Sequence, residues 1–489
     1  MRGSGILMHI TSMPGPYGVG TMGKESYKFA DFLHKAGQRY WQVLPLSPTG
    51  YGDSPYQSCS AFAGNPYLID LDALVEQGLL EPAEITACDW GTDETRVDFG
   101  LLYANRMKLL RKAYARFRDE DEAFAKFRAK NDSWLPEFAH YMALKDQFGG
   151  KPWYEWPKEL KCRDVYAANE SFLELSEEIQ FYSFVQYLFF TQWEKLRQYC
   201  HNLGISIIGD VPIYVPYDSV EVWSEPHYFC LEETLTPTAV AGCPPDYFSE
   251  DGQLWGNPLY RWDAHKKDGY AWWLRRLEHA AKLYDVIRID HFRGFAGYYS
   301  IPYGAENARG GQWLPGPGLD FLETVKKHLP ETPMIAEDLG YLTPDVHKLR
   351  EDAGYPGMKV LSFAFDGSTD NPYLPHNHIK NSVCYIGTHD NMPLKQWVSE
   401  CSDEAVRASA YMGDPQDILW GMIRLCMASV ADLAVVQMQD YLGLGAESRM
   451  NFPGTCTGCN WTWRARPGFV SDALAEKMKD LTRTYGRVE

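Results

Sequence analysis

The segment 288–295, with the sequence RIDHFRGF, carries the sharpest chemical pattern in the chain. Residues two apart in a strand share a face, so Arg288 and Asp290 are expected to point the same way at the end of a short apolar run. A guanidinium beside a carboxylate favours the charged form and should lower the pKa of Asp290. An ionised carboxylate is the form that acts as the nucleophile in retaining glycosidic chemistry. A purely structural Arg–Asp pair is the alternative, and it would be preferred if this motif stood alone.

A second carboxylate follows another apolar run, in the segment 334–340, MIAEDLG. Glu337 ends this run, where partial removal from water would raise its pKa, as a general acid requires. The neighbouring Asp338 should point to the other face and have a structural role. One carboxylate held ionised and one held protonated, about 5–5.5 Å apart, form the minimum set for glycosyl transfer with retention of configuration.

A third acid lies in the segment 387–391, GTHDN. Asp390 could bind sugar hydroxyls and favour distortion of the sugar ring, and His389 could donate to the same hydroxyls. Taken alone, His389 would be better explained as a packed imidazole at a strand end. The three acids together indicate an enzyme that acts on glycosidic bonds.

These acids belong to a regular theme in which a short apolar run ends in an acid. The acids that close such runs are Asp210, Asp290, Glu337, Asp366, Asp390 and Asp440, and two further apolar runs at 6–10 and 41–45 precede them. Near-continuous apolar strands alternating with helical patterns indicate a parallel sheet covered on both faces. Asp is favoured as a helix cap, but six acids in order are harder to explain as caps alone. In 489 residues the pattern favours an α/β fold, a (β/α)8 TIM barrel with large, mainly helical insertions and an active site at the C-terminal strand ends.

Charge and aromatic content limit the class of partner. The chain has 47 Lys and Arg against 65 Asp and Glu, a net charge of −18, which argues against a nucleic acid or an anionic membrane as partner. Aromatic residues make up 14% of the chain, and their faces suit amphipathic ligands such as sugars. Eleven scattered cysteines, the lack of a signal peptide and the lack of a membrane-spanning apolar run predict a cytoplasmic protein without a disulfide framework.

Longer motifs extend over nearly the whole chain. They are SGIL at 4–7, PGPYG at 14–18, YGDSPYQ at 51–57, SAFAGNPY at 60–67, GDVPIYV at 209–215, PPDYFS at 244–249 and GQLWGNPLYRW at 252–262. With the three acidic segments, these motifs resemble those of the 4-α-glucanotransferases of the amylomaltase, or disproportionating enzyme, family within the α-amylase superfamily. The motifs are long and specific, so chance similarity is improbable.

The resemblance implies a role for each matching residue. It implies Asp290 as nucleophile, Glu337 as general acid and base, and Asp390 as the group that stabilises the transition state. Residues implied to bind substrate are Asp210, Arg288, His291, His389 and Asp366 around the donor sugar, Gln253 and Trp255 in a covering loop, Ser54 and Tyr56 on the acceptor side, and Asn460 in the C-terminal motif 453–461. Tyr247 and Phe248 join Trp255 as candidates for excluding water. The resemblance implies no metal and no cofactor.

The implied activity moves a segment of an α-1,4-glucan to the 4-hydroxyl of glucose or a maltooligosaccharide, with retention, through a covalent glucosyl-enzyme intermediate. Maltooligosaccharides, starch or glycogen-type glucans would serve as donor and acceptor, and the protein would be a monomer or a weak homo-oligomer. Residues 1–74 should form the first part of the barrel with the acceptor-side loop, and 75–200 an inserted helical subdomain. Residues 201–489 should complete the catalytic barrel and include the covering loop at about 243–262.

Two other functions remain open. An α-1,4-glucan hydrolase would use the same carboxylates, and the sequence does not measure the ratio of transfer to hydrolysis. A catalytically inactive glucan-binding protein would be expected to lack at least one essential acid, whereas Asp290, Glu337 and Asp390 are all present.

Overall fold

Eight short parallel strands form the centre of the molecule in the computed structural model, which describes residues 2–118, 121–245, 250–340, 342–456 and 458–488. The strands of the described ranges are β1 Gly3–Leu7, β2 Tyr40–Gln42, β3 Ser206–Val211, β4 Ala239–Cys243, β5 Gln253–Pro258, β6 Val286–Ile289, β7 Gly297–Pro302, β8 Gln312–Pro315, β9 Met334–Ala336, β10 Gly357–Val360, β11 Ser382–Tyr385 and β12 Leu433–Gln437. One sheet has the order β10-β11-β12-β1-β2-β3-β6-β9, with every pair parallel. The other four strands form an antiparallel sheet of order β5-β4-β7-β8.

The parallel strands close into a barrel in the order in which the chain makes them. The last strand, β12, pairs with the first, β1, so that Leu433 lies opposite Gly3. Between β9 and β10 the N–H of Ala336 donates to the carbonyl of Pro356 at 2.9 Å, which joins the two ends of the sheet. The predicted (β/α)8 TIM barrel is confirmed.

Helices occupy most of the connections between barrel strands. They are α1 Lys24–Lys35, α2 Leu71–Glu76, α3 Pro82–Thr86, α4 Phe99–Arg116, α5 Glu122–Lys130, α6 Leu135–Gln147, α7 Lys158–Lys161, α8 Val165–Glu174, α9 Ser176–Asn202, α10 Val220–Ser224, α11 Trp262–Lys267, α12 Ala271–Leu283, α13 Gly318–His328, α14 Pro344–Ala353, α15 Leu394–Glu400, α16 Ser402–Tyr411, α17 Ile418–Ala428, α18 Met438–Tyr441 and α19 Asp472–Thr484. Within the described ranges, none of these helices combines the length and the apolar character needed to cross a membrane.

The connection between β2 and β3 is the longest and holds helices α2 to α9. Two buried amide side chains join helix α9, at the end of this connection, to the loop after β2, at its beginning. Gln186 accepts from the N–H of Gly64 and donates to its carbonyl, and Gln192 makes the same pair of bonds with Asp70. Each amide thus pairs with backbone groups of the loop after β2, which satisfies their hydrogen bonds away from water.

Two barrel strands are shorter than the apolar runs that predicted them. The run at 359–365 is a strand only to Val360, and the run at 383–389 only to Tyr385. Beyond Val360 the chain makes a short 3-10 turn, and Leu361 and Phe365 remain buried there. The apolar pattern continues past the strand because these residues still face the core, so hydrophobicity alone placed the strand end too late.

The antiparallel sheet comes from the β3–β6 and β6–β9 connections of the barrel. Its strand β5 carries Gln253 and Trp255, two residues of the predicted covering loop. The other two aromatic residues predicted to exclude water, Tyr247 and Phe248, lie outside the described residues.

Candidate active site

One guanidinium joins two acids at neighbouring strand ends. Strands β3 and β6 pair with Asp210 opposite Arg288. Nη1 of Arg288 donates to Oδ1 and Oδ2 of Asp210 at 2.7 and 2.6 Å, and to Oδ1 of Asp290 at 3.0 Å. Arg288 and Asp210 are buried, whereas the Asp290 side chain is 27% exposed. Asp290 is therefore the acid of this group that a substrate can reach.

The pKa of Asp290 is raised to about 7, so the predicted net lowering of this pKa is wrong. Removal from water is the largest cause, and the charges of Asp210 and Asp390 act in the same direction. Arg288 lowers the pKa as predicted, but it also neutralises Asp210 and does not offset the burial.

Glu337 follows the end of β9, next to Asp290 at the end of the neighbouring strand β6. Strands β6 and β9 pair in register up to the residues immediately before these two acids. Neighbouring strands lie about 4.8 Å apart, so the two carboxyl groups start from adjacent backbone positions. Oε2 of Glu337 accepts from the N–H of His291 at 2.7 Å, and Oε1 from the N–H of Leu339 at 3.1 Å. His291 takes a φ of 53°, in the left-handed region, at the turn that presents its N–H to Glu337.

Burial raises the pKa of Glu337 to about 8, and the nearby charge of Asp290 adds to the effect. Arg288 and the His291 N–H act in the opposite direction. The pKa of Glu337 therefore moves in the predicted direction and lies above that of Asp290. The two carboxyl groups therefore titrate as a pair near neutral pH, and the contact of Arg288 with Asp290 favours the negative charge on Asp290.

Asp390 is held from two sides near the same acids. Nδ2 of Asn451 donates to its Oδ1 at 2.6 Å, and Nε2 of His389 lies 3.3 Å from its Oδ2. The Asp390 side chain is 40% exposed. Its charge contributes to the raised pKa of Asp290. The structure thus brings Asp390 into the electrostatic environment of Asp290 with one face open to solvent.

Tyr56 connects the loop after β2 to this group. Its hydroxyl donates to Oδ2 of Asp210 at 2.8 Å and lies 2.8 Å from Nε2 of His389, whose ring stacks on it with a centroid distance of 5.2 Å. Trp461 packs against Tyr56 and His389 at 5.7 and 5.9 Å. Ser54 shapes the same loop, since its Oγ accepts from the Tyr56 N–H at 3.2 Å.

Trp255 reaches the site from the antiparallel sheet. Its indole lies edge-on to the ring of His291, with centroids 4.8 Å apart, and its Nε1 donates to Oε1 of Gln253 at 3.0 Å. Burial lowers the pKa of His291 to about 3, so this imidazole is neutral. His291 directly follows Asp290 in the chain, so Trp255 packs against the residue next to that acid.

Two predicted binding residues make local contacts instead. Asp366 is exposed and accepts from the N–H of Ser368 in its own loop. Asn460 is buried; its Oδ1 accepts from the Phe452 N–H, and its Nδ2 donates to the carbonyl of Thr455. In the part of the chain that the structure describes, neither side chain is hydrogen bonded to the carboxylate group.

Two other acids near strand ends have structural positions: Asp338, which follows Glu337, and Asp440, the last acid of the strand-end theme. Asp338 accepts from Arg350 at 2.9 Å and from the Met358 N–H at 2.6 Å, as expected for a structural acid. Asp440 accepts from the N–H of Leu394, the first residue of α15, at 2.7 Å. Asp440 therefore caps a helix rather than joining the site, and the six acids do not form one set.

Asn451 and Trp461 were missed by the sequence reasoning. Asn451 binds an acid 61 positions earlier in the chain, and no spacing signal marks such a contact. Trp461 lies inside the quoted C-terminal motif and takes a φ of 65°, which a bulky residue rarely adopts without a structural reason. The sequence signal for Trp461 is its place at the end of that motif.

The assembled groups suit nucleophilic and acid–base chemistry. A carboxylate and a neighbouring carboxylic acid, with pKa values of about 7 and 8, hold one proton between them near neutral pH. Across the described ranges, no group of three or more His, Cys, Asp or Glu side chains has an arrangement that could hold a metal ion.

Comparisons with known proteins agree over the whole length of the chain. The family model described as 4-alpha-glucanotransferase matches residues 8–470. The 4-alpha-glucanotransferase of Clostridium butyricum is 47% identical over 488 residues, covering 99% of this chain and 100% of that protein. The one of Thermus thermophilus is 47% identical over 502 residues, covering 100% and 99%. A solved amylomaltase from Streptococcus agalactiae in complex with acarbose is 41% identical, with a TM-score of 0.97 and 100% of each chain covered. The chain therefore belongs to the 4-alpha-glucanotransferase family.

Proposed function

We propose that this protein moves a segment of an α-1,4-glucan to the 4-hydroxyl of an acceptor glucose or maltooligosaccharide. One observation carries the proposal: Asp290 and Glu337 leave paired strands side by side, with pKa values of about 7 and about 8. Adjacent carboxyl groups favour a retaining reaction, because an inverting pair is spaced more widely to admit water. A covalent intermediate also gives time for the shortened glucan to leave and for an acceptor to take its place.

In the first step Asp290 attacks the anomeric carbon of the donor glucan. The bond from this carbon to its glycosidic oxygen breaks as Glu337 gives its proton to that oxygen. The shortened glucan leaves, and the rest of the donor stays on Asp290 as an ester. Arg288 stabilises Asp290 before the attack, since it donates to the same carboxylate at 3.0 Å.

In the second step Glu337 acts as a base. It takes the proton from the 4-hydroxyl of the acceptor, whose oxygen attacks the anomeric carbon and displaces Asp290. Two displacements at one carbon give net retention. Asp390 stabilises the positive charge that develops on the sugar in each transition state, and its partly exposed carboxylate supports this role.

The other predicted residues divide by position around the sugar. We assign Asp210, Arg288, His291, His389 and Asp366 to the donor side, Ser54 and Tyr56 to the acceptor side, and Asn460 to the C-terminal loop that borders the site. The contacts of Tyr56 with Asp210 and His389 support the first two groups. Asp366 and Asn460 rest on the family resemblance alone.

Transfer requires an acceptor sugar to compete with water at the covalent intermediate. Gln253 and Trp255, with Tyr247 and Phe248 of the same loop, are the residues that we assign to excluding water. The edge-on contact of Trp255 with His291 supports this assignment, because it places an indole next to the residue that follows Asp290.

We propose that the chain is divided into three parts. Residues 1–74 begin the barrel and supply the acceptor-side loop, 75–200 form the inserted helical subdomain, and 201–489 complete the barrel, with the covering loop at about 243–262. The run of helices α2 to α9 between β2 and β3 supports the insertion. Helix α9 belongs to both parts, since it is bonded to Gly64 and Asp70.

We further propose that the protein works in the cytoplasm on maltooligosaccharides, starch or glycogen-type glucans, as a monomer or weak homo-oligomer, without a nucleic acid or membrane partner. No disulfide joins the cysteines of the described residues, which supports a reducing compartment. The net charge of −18 supports a neutral substrate.

Incubation of the purified protein with maltotriose alone tests the function. We expect glucose together with a series of longer maltooligosaccharides, because each transfer shortens one chain and lengthens another. Glucose and maltose without longer chains would mean hydrolysis and would overturn the role of the covering loop. If nothing changed with maltotriose or with maltoheptaose while maltoheptaose still bound, the protein would be an inactive glucan-binding protein.

A further inference from the structure

A small cavity inside the described barrel is lined by His389, Gln437 and His9, together with apolar neighbours such as Leu7 and Met450. Two polar atoms at this cavity are buried and have no hydrogen-bond partner among the described residues: Nδ1 of His389 and Nε2 of Gln437. A buried polar group without a partner costs about 1–3 kcal/mol. A ring nitrogen that can accept and an amide that can donate, both unpartnered at one cavity, are chemically complementary.

The hydrogen bonds on the other side of His389 decide which of its nitrogens carries the proton. The Tyr56 hydroxyl has a single hydrogen, and it donates to Oδ2 of Asp210, whose two oxygens face Arg288. The contact of Tyr56 with Nε2 of His389 at 2.8 Å must then run the other way, from Nε2–H to the hydroxyl oxygen. In the neutral ring Nδ1 is therefore an acceptor that needs a donor.

His9 supplies a second donor to the same cavity. Its Nδ1 accepts from the N–H of Leu44 at 3.2 Å, so its proton lies on Nε2. Burial lowers the pKa of His9 to about 3 and also lowers the pKa of His389, which keeps both rings neutral. The residues that line the cavity thus include two donors, His9 and Gln437, and one acceptor, Nδ1 of His389. The side chains of Ser12 and Gln439 also line it, but they donate to Met450 and Ser448. A buried water typically makes about three such bonds.

We propose that an ordered water in this cavity accepts from Nε2 of Gln437 and donates to Nδ1 of His389, which makes Gln437 a positioning residue for the active site. Gln437 ends strand β12 and touches no substrate in this scheme. It acts through His389, because the water that it holds gives Nδ1 a donor and so stabilises the tautomer with the proton on Nε2. The inference rests on the proposed function, because it assigns the orientation of a residue on the donor side.

The consequence is a directed series of hydrogen bonds from the cavity to the nucleophile. With its proton fixed on Nε2, His389 donates to Tyr56, and Tyr56 donates to Asp210. Arg288 binds Asp210 and Asp290 with the same nitrogen. Reversal of the His389 tautomer would reverse the Tyr56 hydroxyl and remove one of the bonds that hold Asp210 against Arg288.

The tautomer of His389 can be measured directly in the wild-type protein. In 15N-histidine-labelled protein, the ring-nitrogen shifts distinguish a proton on Nε2 from one on Nδ1. We expect His389 to be neutral with its proton on Nε2, and a high-resolution crystal structure to contain one water within hydrogen-bond distance of Gln437 and His389. A proton on Nδ1, or a cavity without that water, would overturn the proposal.

Gln437→Met tests the role of the amide, because methionine has a similar length but no donor. We expect a mixture of His389 tautomers and a fall in kcat of roughly fivefold to tenfold, with a smaller change in KM, as for the loss of one hydrogen bond. Unchanged tautomer and unchanged kcat would contradict the inference. Gln437→Asn keeps the amide on a shorter side chain and serves if the methionine variant does not fold.

Gln396→Met is the matched control, since Gln396 is another buried glutamine with an unpartnered amide atom. It lies in α15 and donates to Glu400 at 3.0 Å. We expect wild-type shifts for His389 and wild-type kcat in this variant. The tautomer measurement needs no turnover, so a protein without transferase activity would refute the proposed function and still decide the tautomer.

Discussion

Removal from water raises the pKa of both Asp290 and Glu337, and their different contacts support the different roles that we propose for them. Arg288 touches Asp290, whereas Glu337 receives only backbone N–H donors in the described contacts. The full charge of a guanidinium favours ionisation of a neighbouring carboxyl group more strongly than neutral N–H groups do. Asp290 is consequently the carboxylate and Glu337 the acid near neutral pH.

The pH dependence of kcat/KM should be bell-shaped with a narrow maximum. Activity is expected to fall below about pH 7, where Asp290 takes up a proton, and above about pH 8, where Glu337 loses one. Maltotriose disproportionation measured across this range in buffers of constant ionic strength provides the test. A profile that is flat from pH 5 to about 9 would contradict the raised pKa values.

Glu337→Gln should lower kcat by about a hundredfold to ten-thousandfold, because the amide cannot donate or accept the proton. Binding of maltoheptaose should persist, since the side chain keeps its size and its acceptor oxygen. Asp338→Asn is the matched control next in sequence: it weakens the contact with Arg350 and should lower stability more than kcat of the folded enzyme. Activity surviving in Glu337→Gln would show that another group is the acid.

At the scale of the strand and helix, the sequence predicted which acids lie at strand ends better than it predicted where their side chains point. Asp290 and Glu337 do follow the ends of β6 and β9, as the pattern of an apolar run closed by an acid predicted. The pattern works because a buried strand has to be apolar, so the first acid after it lies where the strand ends. The same pattern also selected Asp440, which binds the first N–H of α15. An acid aimed at the barrel mouth and an acid aimed at a helix N-terminus look alike in sequence, since only the packing of α15 against α18 separates them.

Asp440→Asn should stabilise the protein above neutral pH and not below about pH 4. Burial raises the pKa of Asp440 from 3.8 to about 7, so the folded state binds its proton more tightly than the unfolded state. Stability from this group is then greatest at low pH and is lost as pH rises towards 7 and above. Asparagine keeps the acceptor for Leu394 and carries no charge.

The expected gain for this variant at pH 8 is roughly 1–3 kcal/mol, which is below the full linkage value because the new NH2 group needs a partner. Denaturant unfolding at pH 8 and pH 5 measures it. The difference between variant and wild type should shrink at the lower pH. An equal difference at both pH values would mean that protonation of Asp440 is not the cause.

For the whole molecule, the order of strands followed from the sequence, but the meeting of distant segments did not. A repeated strand-and-helix pattern in a chain of this length has few solutions, and the barrel was one of them. Contacts such as Tyr56 with His389 or Asn451 with Asp390 join loops that follow different strands. They depend on loop conformation, which hydrophobic periodicity does not encode.

The two ends of the chain meet at the seam where β12 pairs with β1. The buried guanidinium of Arg487 bridges this seam: Nη1 donates to the carbonyl of Gly3, and Nε donates to that of Met427. Its Nη2 donates to the carbonyls of Ser429 and Ala431. One side chain near the C-terminus thus satisfies backbone groups on the first strand and on the segment that leads into the last.

Arg487→Leu should lower the free energy of unfolding of the whole barrel by at least about 3 kcal/mol, because several buried carbonyls lose their donor at once. The active-site groups lie at the opposite strand ends, so kcat of the folded fraction should change little at 25 °C. Denaturant unfolding monitored by tryptophan fluorescence and by residual activity measures both quantities. Arg483→Leu, at an exposed position of the neighbouring helix α19, is the control and should alter stability by less than about 0.5 kcal/mol. Because β1 and β12 close the barrel, fluorescence and activity should change at the same denaturant concentration in the variant. If the fluorescence changed at a lower concentration than the activity, the seam would open independently of the strand ends that carry the candidate active site.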